Sequence, residues 1–272
     1  MRSGRRGSGL TDSPARRSAV VIAALAVLVG VAAGAAVVRQ YSLTRPDAAA
    51  APTAPVVPAV PPPAPSILFI GDTYTLGPPS LPDLGYACRT AATLDMDCSL
   101  AAVPGSGFIN GGPQHRLPQT DIVSSSFAER VPELQARHQP DVVVLDGGRN
   151  DLPYGLDNLR NAVLYTLELT VQAWPQARVV LIAPWFLADP TPVGVVDRTR
   201  TPVGQVLQAA VAADPPLHAV DVVDPGPAGW FTGTATRDLL ADDGVEPSVD
   251  GHDWIAGRLV AELRARGIGG SR

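Results

Sequence analysis

Four short segments of this chain gather the side chains that could do chemistry. Gly71-Asp72-Thr73-Tyr74 sets a hydroxyl beside a carboxylate directly after an apolar run, and Pro104-Gly105-Ser106-Gly107-Phe108 is a glycine-rich turn. Gly147-Gly148-Arg149-Asn150-Asp151 adds a side-chain amide after a second apolar run, and Asp243-Gly244-Val245-Glu246-Pro247, followed by Gly251-His252, adds two carboxylates and an imidazole. A hydroxyl among N–H donors suits acyl transfer, in which the oxygen attacks an ester carbonyl and preorganised donors stabilise the tetrahedral oxyanion. Each segment alone is ordinary turn chemistry. Their order along the chain is what raises a shared site. His115, His138 and His218 lack such context and read as surface or packing residues, while Trp230 and Phe231 could line a pocket or pack the core.

The elements that must position these loops are short β-branched or Leu-rich runs alternating with helical stretches. Strands are predicted at 66–70, 96–103, 142–146, 178–183 and 218–223, and helices at 125–138, 156–174, 203–213 and 249–266. Leu156, Leu159, Val163, Leu167 and Val171 fall near helical spacing, as do Ile255, Leu259, Val260 and Leu263. The alternation implies an α/β fold: a three-layer, doubly wound sandwich around a five-stranded parallel sheet of flavodoxin-like type. In such sheets ligands bind at the carboxyl ends of the strands, where the first three loops sit.

Upstream of this domain, expected at 66–272, the composition changes twice. Residues 1–17 carry Arg2, Arg5, Arg6, Arg16 and Arg17, and the uncharged run 18–38 is long enough to cross a bilayer as a helix. Positive charge before the run predicts an anchor with the N-terminus in the cytoplasm and the globular part outside the cell membrane. A secreted protein is the alternative, since Ala33-Gly34-Ala35 offers a small-residue cleavage pattern. The Ala- and Pro-rich segment 39–65 reads as an extended linker. Net charge is -5 with the basic residues concentrated at the N-terminus, which argues against a nucleic-acid partner. The two cysteines, Cys88 and Cys98, are expected to pair in an oxidising compartment, and two ligands are too few for a zinc shell. No metal or cofactor is expected, and neither a Walker nor a Rossmann glycine pattern opens a helix.

The blocks resemble those of the SGNH (GDSL) hydrolases, over about residues 66–263. Gly71-Asp72-Thr73 stands where that superfamily has Gly-Asp-Ser, Gly148-Arg149-Asn150-Asp151 matches its Gly-x-Asn-Asp, and Asp243 to Pro247 matches its Asp-x-x-His-Pro. The resemblance implies a catalytic hydroxyl at Thr73 and an oxyanion hole from the Thr73 N–H, the Gly107 N–H and the Asn150 amide, with Gly105 as the second register for the glycine. It also implies an acid–base pair at Asp243 and Glu246. Two positions depart from the family: threonine replaces serine, restricting the rotamer of the nucleophile, and glutamate replaces histidine. A carboxyl titrates near ~4.3, so Glu246 needs its pKa raised to act as a base, and a neighbouring Asp243 would push it that way. His252 is the other candidate base, against a hydrogen-bonding role at the start of the last helix. Two functions follow. One is an ester hydrolase or acyltransferase with a weakened Thr-centred site, acting on an acylated small molecule, lipid or glycan of the cell envelope. The other is an inactive relative that binds acyl or glycan groups.

Overall fold

The computed structural model describes residues 14–43, 64–78, 81–112, 125–187, 202–231 and 235–269. The chain divides into two units, Met1–Pro61 and Pro62–Arg272. In the first, helix α1 (Pro14–Leu43) contains the predicted span, and its stretch Val21–Tyr41 has a mean hydropathy of 2.7 with the side chains exposed. By length and composition it can cross a membrane or serve as a signal sequence. Most of the expected basic segment and of the linker lies outside the described residues, as does His115.

The second unit is built on five parallel strands, β1 (Ser66–Gly71), β2 (Asp97–Ala102), β3 (Val142–Asp146), β4 (Arg178–Ile182) and β5 (Asp221–Val223), in the order β2-β1-β3-β4-β5. Ile67, Leu68, Phe69 and Ile70 of β1 are all wholly buried, as are Val143, Val144 and Leu145 of β3. Such runs lose the alternation of a half-exposed strand because helices cover both faces of a parallel sheet. On one face Ile67, Phe69 and Val144 pack against Tyr86 of α3 (Tyr86–Thr93) and Ile255 and Leu259 of α7 (Val249–Ala265). On the other, Leu68, Ile70 and Val143 meet α4 (Phe127–Arg137), α5 (Leu156–Ala173) and α6 (Val203–Ala213) through Phe127, Leu159 and Leu207. One further short helix, Thr73–Leu76, follows β1 directly and is α2. The three-layer sandwich read from the sequence is therefore the fold.

Besides the short α2, which was not predicted, two elements differ from the expectation. Helix α3 falls where no helix was predicted, because its eight residues, Tyr-Ala-Cys-Arg-Thr-Ala-Ala-Thr, present only Tyr86, Ala87 and Ala91 as an apolar stripe. It is held from outside: Cys88 on α3 is joined to Cys98 on the edge strand β2 with a Cα–Cα separation of 5.4 Å. Strand β5 is shorter than the predicted 218–223, since Pro215 starts a helical turn, Pro215–Leu217, that delays the extended backbone.

The sheet order fixes the site. From β1 the chain moves outward to β2 and then returns across β1 to β3, so connections leave β1 and β3 in opposite directions. That switch lies at the carboxyl ends of β1 and β3, where open parallel sheets form the crevice that takes ligands.

Candidate active site

Strand β1 ends at Gly71 and α2 begins two residues later, so Asp72 and Thr73 lie at the mouth of the crevice. Asp72 is the N-cap of α2: its Oδ1 accepts the Tyr74 N–H at 3.0 Å. Thr73 is half-buried, and its Oγ1 accepts the Gly105 N–H at 3.1 Å. A hydroxyl and a backbone donor from the loop after β2 thus meet above the sheet.

The third loop converges on the same point by a simple device. After Gly148, whose φ of +96° requires glycine, residues Arg149–Tyr154 form a 3-10 helix. With about three residues per turn, successive side chains diverge by about 120°. Arg149 points to Asp72, with its Nη2 2.6 Å from Oδ1 and its Nε 3.1 Å from Oδ2. Asn150 donates from Nδ2 to Asp72 Oδ2 at 3.2 Å and to the Ser106 carbonyl at 2.8 Å. Asp151 points back to the second loop and accepts the N–H groups of Phe108, Ile109 and Asn110 at 2.7, 3.0 and 2.8 Å.

The geometry sets the two candidate glycines apart. The Gly107 N–H donates to the Asn110 carbonyl at 2.7 Å, its carbonyl accepts from Phe127, and a Cβ there would meet the Asp151 carboxylate at 2.1 Å. Gly107 is small so that Asp151 can approach the loop. Gly105, two residues earlier, is the one whose N–H faces Thr73.

Beneath Asp72 lies a buried charged cluster that the sequence reading missed. Asp146, the last residue of β3, is wholly buried and accepts from the Tyr86 hydroxyl, from Thr75 and Trp185 Nε1 at 3.2 Å each, and from Arg149. Arg149 therefore bridges two carboxylates while stacking over the Tyr74 and Trp185 rings, 4.3 and 5.2 Å from their centroids. Burial pushes the Asp72 carboxyl up, and the Arg149 charge opposes it. Burial likewise raises Asp151 against the pull of its three N–H donors. The signal in the sequence was a lone carboxylate closing an otherwise apolar strand, three residues before an arginine.

The remaining candidates come from a different kind of structure, the loop between Leu239 and Ser248, closed by a Leu240–Pro247 bridge. Asp243 is exposed, and its Oδ1 accepts the N–H groups of Val245 and Glu246, each at 2.9 Å, which holds its carboxyl below the usual range. It caps its own turn and does not orient a base by hydrogen bonding. Glu246 is half-buried, and its carboxyl is raised by burial and then by the negative charges of Asp243 and Asp72. The loop is tied to α2 by the Tyr74 hydroxyl, which donates to the Val245 carbonyl at 2.7 Å.

His252 is not at this crevice. It is buried between α7 and α3, its Nδ1 accepts the Tyr86 N–H at 3.2 Å, and its ring stacks on Tyr86. Desolvation and the nearby Arg89 lower its pKa to about 4, so it stays neutral at physiological pH as a packing residue. Trp230 is buried in the core, while Phe231 is half-buried and stacks on Trp185.

The model of the GDSL-like lipase/acylhydrolase family matches residues 69–254. The chain is 28% identical over 211 residues to the GDSL lipase Rv0518 of Mycobacterium tuberculosis, covering 75% of this chain and 83% of that one. Among solved structures, it resembles the psychrotrophic esterase EstA of Pseudoalteromonas sp., inhibited by monoethylphosphonate, with a TM-score of 0.54 and 14% identity over 74% of this chain and 97% of that one. An active-site mutant of a family two carbohydrate esterase from Clostridium thermocellum is similar with a TM-score of 0.53 and 19% identity, over 75% of this chain. The match spans only 65% of that longer protein.

Proposed function

We propose that this chain, which belongs to the GDSL-like lipase/acylhydrolase family, hydrolyses or transfers the acyl group of an ester through the Thr73 hydroxyl. The observation that carries the reading is the 3.1 Å contact from the Gly105 N–H to Thr73 Oγ1. Attack by Oγ1 on an ester carbonyl forms the new C–O bond and moves an electron pair onto the carbonyl oxygen. The Gly105, Thr73 and Asn150 N–H groups are the donors for that oxyanion. Glu246, with its raised carboxyl, takes the Thr73 proton and returns it to the leaving alcohol, after which water or another alcohol releases the acyl group.

The substrate class rests on weaker supports. The apolar α1 fits a membrane anchor or signal sequence, and a domain held outside the membrane meets acylated lipids and glycans of the envelope. An acylated glycan is one such substrate, a reading supported by the similarity in fold to a carbohydrate esterase.

A second reading, an inactive acyl- or glycan-binding relative, is favoured by two contacts. Both Nδ2 hydrogens of Asn150 are already donated, to Asp72 and Ser106, and the Asp243 carboxylate is turned into its own loop. The full chain in detergent, assayed with short-chain aryl esters, separates the two. Under the catalytic reading Thr73→Ala loses about 10³-fold in kcat and Thr73→Ser retains or raises the parent rate. A parent no faster than Thr73→Ala excludes catalysis through Thr73, and activity arising only in the double variant Thr73→Ser, Glu246→His supports a decayed site.

A further inference from the structure

Arg130 of α4 is 7% exposed, yet among the described residues no carboxylate forms an ion pair with it. Burying a guanidinium costs several kcal/mol unless its hydrogen bonds are met. Here Nη1 and Nη2 are met by acceptors that all belong to the floor of the crevice, while Nε has no partner. Nη2 donates to the Gly71 carbonyl at 3.2 Å and to Ser106 Oγ at 3.1 Å, and Nη1 donates to the Ala101 carbonyl. Ser106 passes the interaction on, since its hydroxyl donates to the Val103 carbonyl at 2.8 Å. The guanidinium carbon lies over the Phe127 ring, 4.8 Å from its centroid.

These acceptors frame the hydroxyl and its donor. Gly71 is two residues before Thr73, Ala101 and Val103 lead into Gly105, and Ser106 follows Gly105 and takes the Asn150 amide on its carbonyl. One planar fork therefore spans the ends of two strands and the loop that follows β2. Lysine, a point donor on a flexible stem, cannot reproduce that span.

We propose that Arg130 is a positioning residue for the oxyanion hole, holding the 103–107 loop against the end of β1 so that the Gly105 and Thr73 N–H groups converge on one oxygen. The proposal rests on the reading that Thr73 attacks an ester. Preorganisation of the donors acts in the transition state more than in the ground state, so the loss falls on kcat.

The test uses the full chain in detergent, with parent, Thr73→Ala, Arg130→Met and Arg130→Lys assayed on an aryl ester and followed by amide exchange. Arg130→Met is expected to lower kcat by about 100-fold with KM within about twofold, and Arg130→Lys by about tenfold. Exchange of the Gly105 and Ser106 amides is expected to speed by about tenfold while that of β3 stays unchanged. If kcat and loop exchange both match the parent, or if exchange quickens throughout the sheet, Arg130 is an ordinary structural residue and the proposal falls. Should Arg130→Met fail to fold, the Lys variant decides by the same two measures. If Thr73→Ala equals the parent, the catalytic reading fails separately, and the loop exchange alone decides whether Arg130 positions Gly105.

Discussion

The two halves of the site are built differently. The half proposed to stabilise the oxyanion is made of strand ends and a 3-10 turn, and its anchors, Asp72, Asp146, Arg149 and Asp151, are all buried. The half proposed to transfer the proton is a surface loop, with Asp243 exposed and Glu246 half-buried, fastened by one short bridge and the Tyr74–Val245 hydrogen bond. In the first half Asp72, Asp146 and Arg149 share partners from several elements, while Asp151 is held by three N–H groups of one loop. In the second, the Asp243 carboxylate bonds to its own loop. A residue change in the first half therefore disturbs a shared network.

Breaking each half should reveal the difference. The largest effect is expected from Arg149→Met, which leaves Asp72 and Asp146 buried without their cation and should lower stability by about 3–5 kcal/mol. Urea denaturation measures it, and a loss below about 1 kcal/mol would show that the cluster is not what anchors the site. Glu246→Gln should leave stability within about 0.5 kcal/mol of the parent, since the residue lies on a surface loop. Its kcat should fall by about 100-fold.

The pH dependence sharpens the same contrast. A base acts in its deprotonated form, and the Glu246 carboxyl is raised by burial, Asp243 and Asp72. The kcat/KM of the parent should therefore climb with pH through a value above the ordinary glutamate pKa and then level. Glu246→Gln should remove that limb, and a limb that survives the substitution would assign the base elsewhere. The smallest effect is expected from Tyr74→Phe, which deletes the 2.7 Å bond to the Val245 carbonyl and should cost about 1 kcal/mol. Its mark should be faster amide exchange in the 239–248 loop with the 103–110 loop unaffected; the reverse pattern would show that Tyr74 supports the oxyanion half.

Much of the framework could be read from the residues in order. The apolar runs of β1, β3 and β4 are continuous because both faces of the sheet are covered, and such runs stand out in any sequence. Helices α5 and α7 show their buried stripe at helical spacing. Helix α3 does not, because its place is secured by a disulfide to β2 and by packing of Tyr86 on His252, a residue far along the chain. Asp243 and Glu246 were visible as a pair, but a carboxylate three residues before another can either face it or cap the intervening turn. The Val245 and Glu246 N–H groups settle it as a cap.

The sequence by itself determined the class of fold and the order of the blocks, because both depend on periodicities and turn residues that act within a few positions. Tertiary structure alone decided which glycine donates to Thr73, 32 residues away, and which carboxylate Arg149 grips 77 residues away. Gly105 and Gly107 are alike as residues. They differ in what surrounds them: Asp151 and Asn110 engage the 107 position from below, and only the 105 N–H is left to face the hydroxyl. A hydrogen bond is a contest among all donors and acceptors brought within reach, and that set exists only once the sheet has assembled.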